Sequence, residues 1–420
     1  MYYYSTRDRD RKNGLTAGQA ILKGLAADGG LFVPESFPAL DPALDPDMDY
    51  ALFAQKVLAP FFEGDELAGM LGSICNDAFN FPIGFTKISG ATVMELFLGP
   101  TCAFKDFGAR FLACSMERLL EKSGGQLCIL VATSGDTGGA VASAFHGRKH
   151  LSVKVLFPKG RVALRQRQQL TCWGGNVESY EVDGSFDDCQ AMVKSAFVDP
   201  LYSQGLSSAN SINLGRLLPQ MVYYVYASMA YLKKTGKKPV IVIPSGNVGN
   251  CTGAYWARAM GAPVGRIVLA VNANRTIPDF IESGVYEPRA SVRTLANAMD
   301  VGAPSNMERL FSLFGGTAGA RENISSWSVS DDEIRSTIRA VWDEDGYIMC
   351  PHTACGEYVR RTHLADCDDV ILVSTAHPAK FDTIVEPVIG ASVPVPPALA
   401  ALLDKPSVCR SIQADYHRLF

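Results

Sequence analysis

Short apolar runs alternate with helix-like stretches along most of the chain, beginning at about Pro82. Runs such as 127–132, 151–157 and 370–373 have the length of buried strands, and the pattern at 214–234 has the period of an amphipathic helix. Strands that alternate with helices favour a mostly parallel sheet covered by helices on both faces. The sequence therefore predicts an α/β fold.

The first 80 residues follow a different pattern. They combine helix-like stretches with a Pro- and Asp-rich segment at 37–49, and they lack the regular alternation. A chain of 420 residues also exceeds one compact core. We predict a mainly helical N-terminal cap region over residues 1–80 and an α/β core over residues 81–420, in which a smaller lobe at about 100–210 is inserted in the larger lobe.

Charge and hydropathy argue against two classes of partner. The net charge is −4 and no block of basic residues occurs, so we expect binding neither to nucleic acid nor to an anionic membrane. No apolar run approaches the length of a membrane span, and the first residues lack the apolar core of a signal peptide. We predict a cytoplasmic protein, either a monomer or a homodimer.

The cysteines predict no disulfide framework and no metal site. Most of the 11 cysteines lie inside apolar patterns, as reduced and buried thiols do. Cys350, His352 and Cys355 form a cluster, but their spacing matches no standard zinc pattern.

Lys105 is the leading candidate for a catalytic side chain. It lies between a strand-like run at 92–98 and a helical pattern at 106–122, and it is flanked by Phe104 and Phe107. Desolvation in such a setting favours the neutral amine, which permits Schiff-base or general-base chemistry. A solvated lysine at the start of a helix is the alternative interpretation.

Three loops follow strand-like runs, and ligands bind at that edge of α/β sheets. The loop 244–250 has two glycines before a helix, which suits a phosphate, although ordinary turn chemistry would also explain it. The loop 133–138 carries hydroxyls and amides that suit a carboxylate, or that cap the next helix. In the loop 374–381, Thr375 could hydrogen-bond a heterocyclic nitrogen or cap a helix.

These four features together describe one kind of site. A hydrophobically flanked lysine, a phosphate cradle, a carboxylate loop and a hydroxyl at a strand end would each be used by a phosphorylated aldehyde cofactor. We predict pyridoxal 5'-phosphate, bound through Lys105.

Nearly the whole chain resembles the threonine synthases, which are pyridoxal-phosphate enzymes of the tryptophan-synthase-β fold type, or fold type II. The lysine and glycine loops would fit several enzymes of this fold type, whereas the blocks at 4–34 and 375–381 are more specific to the threonine synthases. The motifs that carry the resemblance are Tyr4-Ser-Thr-Arg7, 24–34, Pro100-Thr-Cys-Ala-Phe-Lys-Asp-Phe107, Thr133-Ser-Gly-Asp-Thr-Gly138, Asn210-Ser-Ile-Asn213, 246–250, Pro351-His-Thr-Ala354 and 375–381.

The resemblance implies a reaction and a set of roles. O-phosphohomoserine and water give L-threonine and phosphate by γ-elimination and β-addition, the last step of threonine biosynthesis. Lys105 is then the Schiff-base lysine, and Thr375 faces the pyridine nitrogen. The implied ligands of the cofactor phosphate are Gly246, Asn247, Val248, Gly249 and Asn250, and those of the substrate carboxylate are Ser134, Gly135, Asp136 and Thr137.

The ligands of the substrate phosphate are assigned on charge and polarity alone. Two of them, Arg161 and Arg165, could equally be solvated helix residues. The candidates are Lys159, Arg161, Arg165, Asn213 and Arg216. The resemblance also implies Asp where this chain has Cys350, which weakens any role for a carboxylate there.

Several other functions use the same motifs. A phospholyase acting on O-phosphohomoserine would release 2-oxobutanoate and ammonia from the same lysine and phosphate sites. A serine/threonine dehydratase fits less well because of the block at 375–381. A cofactor-binding protein without catalysis is disfavoured by the intact Lys105 and both glycine loops.

Overall fold

A computed structural model describes residues 1–133 and 135–420, which form three sheets with helices on their faces. The predicted α/β fold with mostly parallel sheets is confirmed. The strands are β1 (Tyr3–Ser5), β2 (Phe32–Pro34), β3 (Gly84–Ile88), β4 (Ala91–Glu95), β5 (Leu127–Ala132), β6 (Leu151–Pro158), β7 (Val177–Asp183), β8 (Leu206–Ser207), β9 (Val240–Pro244), β10 (Ile267–Val271), β11 (Ser325–Ser328), β12 (Val370–Ser374) and β13 (Arg410–Gln413).

The six-stranded sheet has the order β11-β10-β9-β12-β4-β3, and all its pairs are parallel except β3 with β4. The strands β10 and β12 are buried along their whole length and consist largely of Val, Ile and Leu. Such continuous apolar runs are typical of parallel strands that are covered on both faces. The order places β4, β12 and β9 side by side.

The five-stranded sheet has the order β13-β7-β6-β5-β8 and is parallel throughout. Most of it comes from residues 127–207, but its edge strand β13 comes from the end of the chain. Arg410 pairs with Tyr180 and Gln413 with Asp183. The last residues therefore pack on the sheet built from 127–207. The proposed division at 1–80, 81–420 and about 100–210 stays a prediction.

The helices cover both large sheets, and no helix among the residues that the structure describes is long and apolar enough to cross a membrane. Short 3₁₀ turns lie at Ala59–Phe62, Ala68–Met70, Ser203–Gly205, Asn297–Met299, Pro378–Phe381 and Tyr416–Leu419. The α-helices are α1 (Ala17–Lys23), α2 (Tyr50–Leu58), α3 (Leu71–Ala78), α4 (Lys105–Ser123), α5 (Asp136–Phe145), α6 (Leu164–Thr171), α7 (Phe186–Val198), α8 (Leu214–Thr235), α9 (Gly249–Ala259), α10 (Thr276–Ser283), α11 (Met307–Leu313), α12 (Thr317–Asn323), α13 (Asp331–Asp345), α14 (Pro351–His363), α15 (Asp382–Ile389) and α16 (Pro397–Leu403).

The N-terminal region is mainly helical, as predicted, and it also contains the antiparallel pair β1-β2. Its first helix, α1, is short because Gly24 ends it with φ of 71°. The aromatic side chains of Phe53, Phe61 and Phe62 are fully buried, so this region shares one core with α4 and α8.

Candidate functional site

Three loops leave adjacent strands at the same edge of the six-stranded sheet. The loop before Lys105 follows β4, the loop 375–381 follows β12, and the loop 245–250 follows β9. Two of them also pair with each other: Phe104 N donates to Thr375 O at 2.9 Å, and His377 N donates to Cys102 O at 3.0 Å. The carboxyl ends of parallel strands thus gather residues that are far apart in the sequence.

A cavity of about 600 Å³ opens where these loops meet the loop after β5 of the other sheet. It is lined by the predicted lysine Lys105, by residues of both glycine loops and by Thr375, which follows β12. The described residues that line it include Lys105, Thr133, Asp136, Thr137, Asn210, Arg216, Gly246, Asn247, Val248, Gly249, Asn250, Asn297, His352 and Thr375.

Lys105 is the first residue of α4 and points into this cavity. Its side chain is 14% exposed, and Nζ lies 4.9 Å from the centre of the Phe104 ring. Burial lowers the pKa of Lys105 to about 8, although the Asp136 carboxylate, whose Oδ2 lies 3.9 Å from Nζ, opposes that shift. About a tenth of this amine is therefore neutral at pH 7, far more than for an ordinary lysine, and the neutral form is the one that nucleophilic and base chemistry require.

The loop 246–250 forms a tight concave turn at the N-terminus of α9. A Cβ at Gly246 would lie 2.7 Å from the Cα of Met299, so only glycine fits. Val248 has φ of 50°, a left-handed conformation, and α9 begins at the next residue. Backbone N–H groups in such a turn, together with the helix N-terminus, suit an anion.

Asn250 supplies a side-chain donor at the same place. The hydroxyls of Tyr223 and Tyr224 both donate to its Oδ1, which fixes the orientation of the amide. Its Nδ2 is buried and has no hydrogen-bond partner among the described residues. An unpaired buried donor beside a helix N-terminus fits a phosphate oxygen, so these residues suit the phosphate of pyridoxal phosphate.

The loop 133–138 is held by its own first residue. Thr133 Oγ1 accepts hydrogen bonds from Gly135 N at 3.1 Å and from Gly138 N at 2.9 Å. Gly135 has φ of 152°, in the region that favours glycine, and α5 begins at Asp136. The predicted substrate residue Ser134 lies outside the described residues.

Asp136 is a buried carboxylate inside this loop. Its Oδ1 accepts from Gln166 at 3.0 Å and lies 2.8 Å from the Nζ of Lys380. Burial alone would raise the pKa of Asp136, but Lys380 and then Lys105 hold it well below its usual value. Asp136 is therefore an anion in the folded protein. Asp136 is recognisable in the sequence as a candidate ligand, whereas no local pattern identifies Lys380 as its partner.

Other predicted substrate ligands lie elsewhere: Lys159, Arg161 and Asn213 are not among the described residues that line the cavity. Asn213 caps α8 through Gly215 N, and its Nδ2 donates to Ile21 O and Ser208 O, which leaves no donor for a ligand. The assignment of Lys159, Arg161 and Asn213 to the substrate stays a prediction, and their positions outside the cavity lining do not favour it.

The two other arginine candidates differ in position. Arg165 donates to Ala379 O and pairs with Asp382, so it joins α6 to the segment after β12. Arg216 lines the cavity with its Nε buried and unpaired among the described residues. Burial lowers the pKa of Arg216 to about 10, which still leaves a cation facing the cavity.

His352 and Cys350 close the site from the start of α14. His352 Nε2 accepts from Ala298 N at 3.1 Å, and burial lowers the pKa of His352 to about 4, so the ring is neutral. Cys350 caps α14, with its Sγ accepting from Thr353 N at 3.5 Å, and burial raises its pKa. A neutral thiol thus does the capping where the resemblance implies a carboxylate. Among the described residues, no group of three or more metal-binding side chains occurs.

Comparison with known proteins decides the family. Three family models match the chain: threonine synthase N terminus at residues 2–79, pyridoxal-phosphate dependent enzyme at 89–375, and threonine synthase, C-terminal at 353–419. The threonine synthase of Haemophilus influenzae is 38% identical over 96% of both chains, and that of Escherichia coli is 37% identical over 100% of this chain and 98% of its own.

The chain belongs to the threonine synthase family. Solved structures agree: the Escherichia coli threonine synthase has a TM-score of 0.90 at 37% identity, covering 100% of this chain and 98% of that one. The pyridoxal-phosphate-bound threonine synthase of Brucella melitensis has a TM-score of 0.92 at 33% identity, with the same coverage. The protein is a pyridoxal-phosphate-dependent lyase of fold type II, so the predictions of family, cofactor and enzyme class are confirmed.

Proposed function

We propose that this threonine synthase family member converts O-phosphohomoserine and water to L-threonine and phosphate at the cavity around Lys105. The observation that carries the proposal is the position of the buried Lys105 amine, in one cavity with the phosphate cradle 246–250 and the loop 133–137. A cavity of about 600 Å³ is large enough for a cofactor and a small amino acid together.

Different residues around the cavity would hold different parts of the cofactor. Lys105 would hold it covalently, the loop 246–250 would bind its phosphate, and Thr375 would face its ring nitrogen. When bound, pyridoxal phosphate supplies an electron sink for the negative charge that develops at the substrate carbons. A hydroxyl at the ring nitrogen, unlike a carboxylate, would not strongly favour protonation there, which should favour controlled elimination over transamination.

Lys105 would also move the protons of the reaction. Its Nζ opens into the cavity that would hold the substrate, and its pKa of about 8 suits a base that works near neutral pH. The walls around it are Phe104 and the buried His352, which is neutral. The nearest carboxylate, Asp136, has its Oδ2 3.9 Å from Nζ, and its lowered pKa means that it does not take the proton from Lys105.

The anionic ends of the substrate need separate partners. The backbone N–H groups of the loop 133–137 at the start of α5 suit the carboxylate. Arg216 is the cationic candidate that lines the cavity, and we assign it to the substrate phosphate in preference to Lys159 and Arg161. The cytoplasmic location and the monomeric or dimeric state remain predictions.

The test is a product assay on O-phosphohomoserine that measures phosphate, threonine and 2-oxobutanoate together. Threonine equal to phosphate supports the proposal, and Lys105→Ala should abolish both products. Lys122→Ala, at an exposed lysine of the same helix, is the matched control and should keep normal turnover. Phosphate with 2-oxobutanoate would show a phospholyase instead, and no phosphate from the wild-type protein would overturn the substrate assignment.

A further inference from the structure

Lys380 is a second buried lysine behind the site. It lies in the turn Pro378–Phe381, and its side chain is 1% exposed. Its Nζ is 2.8 Å from Oδ1 of Asp136 and donates to the carbonyl oxygen of Thr101 at 2.9 Å. Lys380 is not among the described residues that line the cavity. It can therefore act on bound molecules only through its partners.

Asp136 lies between the two lysines. Its Oδ1 faces Lys380, and its Oδ2 is 3.9 Å from the Nζ of Lys105. Both carboxylate oxygens are buried, so neither can exchange a lysine for bulk water. One negative charge is thus shared between two positive groups, and the shorter contact belongs to Lys380.

This sharing bears directly on the protonation of Lys105. A buried carboxylate paired with Lys105 alone would stabilise the ammonium form, which is neither a nucleophile nor a base. Lys380 takes up part of that negative charge and adds a positive charge nearby. Both effects favour the neutral amine, and a neighbouring cation is one of the known ways to activate a lysine.

We propose that Lys380 is a positioning residue that partly neutralises the charge of Asp136 and thereby lowers the proton affinity of Lys105, so that more of its amine is available for bond formation. The inference rests on the proposed attachment of the cofactor to Lys105. It adds to the site a residue that touches neither cofactor nor substrate.

The other groups around the pair hold their charge state near neutral pH. Burial lowers the pKa of His352 to about 4 and raises the pKa of the Cys350 thiol, so both groups are neutral. Arg216 is a cation at this pH. These groups face Lys105 and Asp136 from the start of α14 and from α8. Cys102 lies in the loop before α4 with its pKa raised by burial to about 11, and Asp106 on α4, whose pKa burial also raises, faces Lys380.

The experiment is a pH titration of the visible absorbance of the full-length holoprotein. This absorbance reports the proton on Nζ of Lys105 once it is bonded to the cofactor, and the charges of Asp136 and Lys380 act on that proton in the same direction as on the proton of the free amine. Lys380→Met should raise the midpoint by at least about one pH unit, since it removes a nearby positive charge. Lys380→Arg keeps the charge and should restore the wild-type midpoint. Asp136→Asn should lower the midpoint, because it removes the anion that favours the proton.

Lys154→Met is the matched control. Lys154 is also mostly buried and paired with a carboxylate, Glu178 at 2.8 Å, but it lies on β6 away from the cavity. Its loss should leave the midpoint unchanged. If Lys380→Met does not fold, the unchanged midpoint expected for Lys380→Arg and the lowered midpoint expected for Asp136→Asn still test the proposal.

Three results would overturn the inference: an unchanged or lowered midpoint in Lys380→Met, a failure of Lys380→Arg to keep the wild-type midpoint, or a raised midpoint in Asp136→Asn. These differ from failure of the proposed function. A wild-type protein without the absorbance of bound cofactor, or a Lys105→Ala variant that retains the same titration, would overturn the role of Lys105 itself.

Discussion

The two glycine loops of this site begin from the same local pattern. In each, an apolar parallel strand ends, a loop with two glycines follows, and a helix starts within a few residues. The loop 133–138 leaves β5 of the five-stranded sheet, and the loop 244–250 leaves β9 of the six-stranded sheet. Both helix N-termini point toward the same cavity and favour anions.

The loops differ in the charge that they contain. The loop 244–250 lines the cavity with neutral groups only: backbone N–H donors, Ser245, and the amides of Asn247 and Asn250. The loop 133–138 contains the anion Asp136, which would repel a substrate carboxylate if it stood alone. Lys380 and Lys105, from distant parts of the chain, neutralise it. The local pattern thus fixes where an anion binds, and long-range contacts decide how much charge the loop can tolerate.

The largest difference between the loops should appear in stability. Asp136→Asn leaves Lys380 buried without an anion, and we expect the free energy of unfolding at pH 7 to fall by about 3–5 kcal/mol. Urea denaturation measures this loss. The control is Asp183→Asn, at an exposed carboxylate that ends β7 of the five-stranded sheet. It should change the free energy of unfolding by less than about 0.5 kcal/mol.

The stabilisation that Asp136 provides should also depend on pH, and its direction follows from the lowered pKa. The pKa of Asp136 is lowered in the folded protein, so its stabilisation is present above the ordinary value of 3.8 and is lost as the pH falls below that value. The stability gap between wild type and Asp136→Asn should therefore narrow in acid. A gap that widened below about pH 4 would contradict this account of the buried pair.

In the neutral loop, shape should matter more than charge. Gly246→Ala places a Cβ 2.7 Å from the backbone of Met299, so the turn must open, and we expect cofactor affinity to fall about 100-fold. Equilibrium titration of the apo-protein with pyridoxal phosphate measures it. Gly205→Ala, where a Cβ meets nothing within 4 Å, should bind normally. Equal affinities for the two variants would mean that the turn is not the cradle.

The fold and most of the cavity followed from local patterns in the sequence. Strand length, helix period and Gly-rich turns are local, and they placed Lys105, the loop 246–250 and Thr375 at one sheet edge, where the structure also has them. The resemblance to a family then joined these loops into one site.

What local patterns missed depends on long-range packing. Nothing near Lys380 in the sequence indicates its ion pair with Asp136. Tyr223 and Tyr224 have the sequence pattern of core aromatic residues, and only the structure shows that their hydroxyls donate to Asn250. Conversely, Asn213 has a ligand-like side chain, but helix capping and two backbone carbonyls use all of its hydrogen-bonding groups. The edge strand β13 was missed because its four residues are mostly exposed and carry no apolar alternation.

The rate of cofactor attachment should depend on pH through Lys105 and not through either glycine loop. Only the neutral amine of Lys105 forms the bond, and its pKa is about 8. The rate at which apo-protein takes up pyridoxal phosphate should therefore rise about tenfold from pH 7 to a plateau above pH 9. Stopped-flow absorbance measures this rate. A midpoint near the ordinary lysine value would show that burial does not activate Lys105.

The smallest expected effect concerns the tyrosines behind the neutral loop. Tyr223→Phe removes one of the two hydroxyls that hold Oδ1 of Asn250, and we expect cofactor affinity to fall about three- to tenfold, the worth of one hydrogen bond. Tyr255→Phe is the matched control, since its buried hydroxyl donates to Asn323 O away from the cavity. The same titration as for Gly246→Ala measures both.

Removing both hydroxyls tests whether they act together on the orientation of Asn250. In Tyr223→Phe/Tyr224→Phe no donor fixes the amide, so Asn250 can turn its oxygen toward the phosphate, and the loss should exceed the sum of the two single losses. Additive losses would mean that each hydroxyl acts independently, and not through a shared orientation of the amide. A greater-than-additive loss would show that this loop binds a dianion with neutral groups because their orientation is fixed, whereas the loop 133–138 depends on paired charges.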